Sequence, residues 1–147
     1  MKRFRFRLQT LLDRRKVREE KLLWELGELR REEALEIERL RVLERLLEVT
    51  CESIERAIRD GSPASDLIRR DEFAKATRDD IRVQELTIEA VGRRVEAKQD
   101  EVVKAMQDRK VLETLRDKQE REYLLAIARQ EQNQLDDMAS TRYAREL

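Results

Sequence analysis

Apolar positions recur at three- and four-residue steps through Leu22, Leu26, Leu29, Ile37, Leu40, Leu43, Leu47, Cys51, Ile54 and Ile58. That spacing places one stripe along a helix. A second stripe, Leu67, Ala74, Ile81, Ile88, Val95 and Val102, keeps a strict seven-residue step, with Val91, Ala105 and Leu112 in the alternate seam positions. Sustained heptads predict a helix that buries a seam against a partner helix. Between the stripes, Asp60-Gly61-Ser62-Pro63 is the only strong punctuation: Gly61 suits a helix C′ position, and Ser62-Pro63 suits an N-cap followed by the first helical residue. The expected fold is all-α, an antiparallel two-helix coiled-coil hairpin with a longer C-terminal helix. Helix 1 is expected over about residues 5–59, the turn over about 60–63 and helix 2 over about 64–145, within a single elongated rod spanning 1–147.

An antiparallel hairpin closing at Gly61 pairs residues whose numbers sum to about 124. Leu22 then faces Val102, Leu29 faces Val95, Leu43 faces Ile81 and Ala57 faces Leu67. The same register sets Lys98, Gln84 and Arg70 against Leu26, Leu40 and Ile54, where long stems are expected to lie along the seam with their polar heads in water. Gly27 and Gly92 fall within about one turn of each other and each costs about 1 kcal/mol against Ala. They mark either a soft level or a place where opposing side chains approach closely. Helix 2 overhangs helix 1 by about 35 to 40 Å at 1.5 Å per residue, and its tail, with Tyr123, Leu124, Ile127, Leu135, Met138 and Tyr143, stays apolar in a helical pattern.

Composition narrows the function. The chain has no His and one Cys, Cys51, which leaves no Ser-His or Cys-His nucleophile pair and no usual zinc spacing. Carboxylates alternate with Lys and Arg, the pattern of a solvated helix face, so the expectation is a non-enzyme with no cofactor and no metal. Net charge is zero, which argues against nucleic acid as the main partner. The longest plainly apolar stretch, residues 123–128, is far below the roughly 20 residues of a membrane span, and Arg5, Arg7 and Asp13 interrupt any signal-like core, so a cytoplasmic protein with Cys51 reduced is expected.

Two surfaces have no evident use inside a hairpin. The opening segment interleaves Phe4 and Phe6 with Lys2, Arg3, Arg5 and Arg7, followed by Arg14, Arg15, Lys16 and Arg18 against Asp13 alone, a pattern shared with single-strand nucleic-acid or acidic-lipid binding. Trp24, Leu35, Val42, Leu46 and Val49 lie in phase, roughly opposite the main stripe of helix 1, and such a face marks a docking surface.

The opening Phe4-Arg5-Phe6-Arg7-Leu8-Gln9, with Leu11, Leu12 and Arg15, resembles the start of the flagellar export protein FliJ family, and Gln134-Leu135-Asp136-Asp137-Met138-Ala139 with Tyr143 resembles its ending. The resemblance implies a stalk of the bacterial flagellar type III export apparatus, similar to the coiled-coil rotor of rotary ATPases and lying at the inner-membrane periphery of the flagellar base. Its implied partners are the hexameric flagellar export ATPase, the cytoplasmic domain of the export-gate membrane protein, and export chaperones, for which no binding motif is matched here. It implies ATPase contact through Phe4, Phe6, Arg7, Leu8, Leu11, Leu12, Leu135, Met138 and Tyr143, and gate contact through Trp24, Leu35, Val42, Leu46 and Val49. An injectisome stalk, a structural tether without ATPase contact and a nucleic-acid adaptor are the competing readings.

Overall fold

A computed structural model describes residues 3–147. Two helices account for nearly all of them: α1 over Gln9–Arg59 and α2 over Ala64–Glu146, with no strand among the described residues. The all-α hairpin expected from the two stripes is the observed fold.

The reversal rests on one residue. Gly61 is the only described position with a left-handed backbone, at φ 68°. Around it the Ser62 amide donates to the Ala57 carbonyl at 3.0 Å and the Gly61 amide donates to the Ile58 carbonyl at 3.2 Å, the paired bonds that close a helix C-terminus in the Schellman arrangement. Asp66 and Leu67 then donate to the Pro63 carbonyl, so Pro63 itself precedes the first helical residue, one position later than the sequence suggested for the cap. Arg56 and Arg59 in the last turn of α1 and Asp66 in the first turn of α2 match the charge each helix end prefers.

The chain forms two compact units. Within Leu22–Glu101, the buried apolar side chains are Leu22, Leu26, Ala57, Ala74, Val91 and Val95, with Thr50 and Thr77 also buried. The polar seam residues do not send their heads to open water. Gln84 Nε2 donates to the Glu36 carbonyl at 2.9 Å and to its carboxylate at 2.6 Å, and Lys98 Nζ donates to Glu25 at 2.9 Å and Glu101 at 3.2 Å. Arg70 reaches the Ser53 hydroxyl across the seam while its Nε holds Asp66 at 3.1 Å. The expected snorkelling is replaced by cross-helix bonding because carboxylates and carbonyls of α1 lie within reach of each stem, and a polar head at a half-buried level gains more from a fixed partner than from partial hydration. Glu25 opposite Lys98 lies one position from the residue expected there, so the antiparallel register is close to the one predicted. A Cβ built on Gly27 or Gly92 meets nothing within 4 Å, which removes close packing as the reason for either glycine.

The second unit joins the N-terminal segment through Lys21 to Val102–Leu147. Its core is Phe6, Leu12 and Leu112, with Phe4 and Leu115 packed on it and Val102 and Ala105 also buried. Arg109 lies between Glu19 and Glu113, and Arg15 Nη1 donates to the Asp108 carbonyl at 2.6 Å, so ionic contacts flank the small apolar cluster.

Candidate functional site

Helix α1 begins at Gln9, not near residue 5. The reason is a change of period. From Arg3 to Arg7 exposure alternates strictly, with the arginines outside and the phenylalanines inside, a two-residue repeat in a non-helical segment that ends in a turn at residues 7 and 8. Phe6 is 8% exposed in the cluster with Leu12 and Leu112. Phe4 is half-buried, its ring 5.6 Å from that of Tyr123 and tilted by 44°, a favourable arrangement for two aromatic quadrupoles. The Gln9 amide donates to the Phe6 carbonyl at 3.2 Å and the Leu12 amide to the Leu8 carbonyl at 3.0 Å, which starts the helix directly after the non-helical segment.

This arrangement sorts the residues assigned to the ATPase contact into two groups. Phe6 and Leu12, the latter with no exposed surface, face inward and hold the segment to α2, so Phe6, which had no evident use inside a hairpin, is part of its packing. Arg7, Leu8 and Leu11 face outward. Leu135, Met138 and Tyr143 are also exposed, on a stretch of α2 in which every residue from 128 to 146 is exposed. Tyr123, expected to overhang with them, is covered by Phe4, which precedes α1 in a non-helical segment and packs its ring on α2. The sequence carried the necessary signal in the Arg-Phe-Arg-Phe-Arg alternation, which has period two where the following residues have period 3.6. Leu115 and Tyr123, which receive the phenylalanines, carried no signal of their own.

The residues assigned to the gate contact all lie on the solvent side of α1. Trp24, Leu35 and Val42 are each at least 60% exposed, and Leu46 and Val49 are partly so. Their spacings of 11, 7, 4 and 3 residues bring them back to one narrow arc at about 100° per residue. Leu35 and Val42 line a shallow groove with Glu38, Arg39, Leu43 and Gln84, and Trp24 lines a neighbouring one with Leu29, Leu35, Arg94 and Lys98. The charges beside this face are largely satisfied within α1, through Glu28 with Arg31, Glu36 with Arg39 and Glu38 with Arg41.

Among the described residues no cluster of His, Cys, Asp or Glu is placed to hold a metal ion, and no described helix is long and apolar enough to cross a membrane. The two strongest departures in proton affinity belong to cross-helix ion pairs: hydrogen bonds from Glu25 and Glu101 raise the Lys98 ammonium, and those from Glu19 and Glu113 raise the Arg109 guanidinium. Both are salt-bridged residues of the seam, held by carboxylates on either side. No curated protein and no solved structure matches the chain. The family model described as Flagellar FliJ protein matches residues 4–147, and so the chain, a two-helix hairpin with apolar groups facing outward, belongs to the FliJ family and is a component of flagellar protein export.

Proposed function

We propose that the chain is the stalk that links the hexameric export ATPase to the export gate. The observation that carries this reading is the uncovered end of α2, the helical stretch 128–146, in which Leu135, Met138 and Tyr143 are each more than 60% exposed. Most helical stability in proteins comes from packing against a partner, and this stretch has none among the described residues. Enclosure by the pore of a ring supplies that partner and buries apolar area worth a few kcal/mol per large side chain.

In this reading Phe4, Arg7, Leu8 and Leu11 meet the ATPase together with the α2 tail, while Phe6 and Leu12 hold the N-terminal segment in position. One asymmetric stalk inside a six-fold ring contacts each subunit differently, so its binding energy biases their nucleotide states unequally. The α1 face of Trp24, Leu35, Val42, Leu46 and Val49 meets the cytoplasmic domain of the gate, which places the protein at the inner-membrane periphery of the flagellar base.

Co-purification with the ATPase hexamer tests the first contact. The full chain is expected to be retained and to stimulate ATP hydrolysis, and a chain ending before residue 128 is expected to lose both. Equal retention of the shortened chain would remove the pore reading and favour a tether that uses other surfaces. Leu46→Glu with Val49→Glu is expected to spare the ATPase and weaken capture by the gate domain.

A further inference from the structure

Arg3, Arg5 and Arg7 stand exposed on alternate residues of the segment ahead of α1, Arg7 in the turn that leads into the helix. Elsewhere the exposed arginines are commonly paired within their own helix, as Arg31, Arg39, Arg59 and Arg93 are with Glu28, Glu36, Glu55 and Glu89. Arg3, Arg5 and Arg7 have no ion pair or hydrogen-bond partner among the described residues. Their surroundings are also unusual for this chain. Residues 2–18 hold eight basic side chains and one acidic one, a net of +7, so the remainder carries −7 in a sequence of zero net charge. Lys2 lies outside the described residues.

We propose that Arg3, Arg5 and Arg7 form a docking edge for a carboxylate-rich protein surface, which on the stalk reading lies on the export ATPase. Guanidinium groups favour carboxylates because the planar fork makes two parallel hydrogen bonds to one acceptor group. A nucleic acid is the poorer occupant: binding a single strand uses aromatic rings as stacking platforms, and here Phe4 and Phe6 are turned away onto Tyr123, Leu112 and Leu115. A lipid surface is disfavoured for the same reason, because the apolar side of this segment is occupied by α2 and cannot enter a bilayer interface. The concentration of positive charge at one place in a neutral chain also orients the approach, since a charge-separated molecule is steered before it touches its partner.

The test compares the full chain with the triple variant Arg3→Gln, Arg5→Gln, Arg7→Gln in binding to the ATPase hexamer across a salt series. These side chains point outward, so helicity and melting temperature are expected to stay unchanged, and the Arg→Lys triple variant serves as the charge-preserving control. At about 50 mM NaCl the glutamine variant is expected to bind about tenfold more weakly, mainly through a slower association rate, and at about 500 mM the gap is expected to close to less than about twofold. The lysine variant should lie between the two. Wild-type and glutamine chains that bind equally well with the same salt dependence would overturn the docking edge while leaving the stalk reading intact. If the wild type does not bind the ATPase at all, the stalk reading fails, and retention on immobilised poly-glutamate decides the docking edge: loss in the glutamine variant supports it and equal retention rejects it. Binding to oligo-dT or to phosphatidylglycerol vesicles that disappears in the glutamine variant, with ATPase binding unaffected, would assign the arginines to phosphate and overturn the proposal.

Discussion

Leu11 and Leu12 are neighbours of identical chemistry, and the fold gives them opposite work. Leu12 has no exposed surface and touches a cluster whose other members, Phe6 and Leu112, are 8% and 5% exposed; Leu11 is 40% exposed. Truncating a buried leucine costs about 2 to 5 kcal/mol, through lost transfer energy and the cavity left behind. The cluster is small, with Phe4 and Leu115 beside those three among the described residues, so it can partly collapse, and about 3 kcal/mol is expected for Leu12→Ala. Leu11→Ala is expected to cost less than about 1 kcal/mol, as at most exposed positions away from caps and cores. Urea unfolding followed by circular dichroism at about 222 nm measures both, and hydrogen exchange over residues 9–19 reports whether the start of α1 is where the loss falls. ATPase stimulation should order the variants the other way: the folded Leu12→Ala protein retains its outward contacts, and Leu11→Ala loses one. Leu11→Ala proving as costly to stability as Leu12→Ala would mean that α1 is rotated by about 100° from its described setting, and the division between holding and contacting residues would fall with it.

Gly61→Ala is expected to destabilise the hairpin by about 1 to 2 kcal/mol and Gly61→Val by more, purely through the backbone, because φ is 68° and an added Cβ meets no atom within 4 Å. Thermal melts check this, and an unchanged melting temperature would place the reversal elsewhere. Gly27→Ala and Gly92→Ala should each stabilise by about 1 kcal/mol, since both positions are helix-interior and open; a loss of stability at either would show a close approach that the open surroundings exclude. Hydrogen bonds from Glu25 and Glu101 raise the Lys98 ammonium above its ordinary value. Its contribution is therefore fully present below the ordinary lysine pKa of about 10.4 and is lost as pH rises through the raised value. Melting temperatures of wild type and Lys98→Met should accordingly converge at high pH, and a constant gap would refute the pairing.

The helices and their reversal were legible because local chemistry and long-range packing agree there: the heptads call for a partner, and Gly61 supplies the one backbone geometry that delivers it. The register followed from the turn, and Glu25 facing Lys98 lies one position from the pairing it implied. The polar seam residues were visible as anomalies, but their partners were not, since a heptad count gives the level of Gln84 and not the reach of its amide to Glu36. The start of α1 was misplaced because the alternation of residues 3–7 is only five residues long and runs directly into a helical pattern. Which of Leu11 and Leu12 turns inward depends on where Leu112 and Phe6 lie, a tertiary fact that neither residue encodes alone.

The cross-helix bonds of the polar seam residues have a mechanical consequence. A purely apolar seam is nearly indifferent to sliding by one heptad, because each leucine or valine meets another apolar group seven residues on. Gln84 breaks that indifference: displacement by one heptad moves it from Glu36 to Leu29 or Leu43, stranding its amide at a cost of about 1 to 3 kcal/mol. The same displacement toward Leu29 carries Arg70 from Ser53 to Leu46. The seam is thus notched at defined levels, and an axial push on one helix is passed to the other as a displacement of both instead of being dissipated as slip between them.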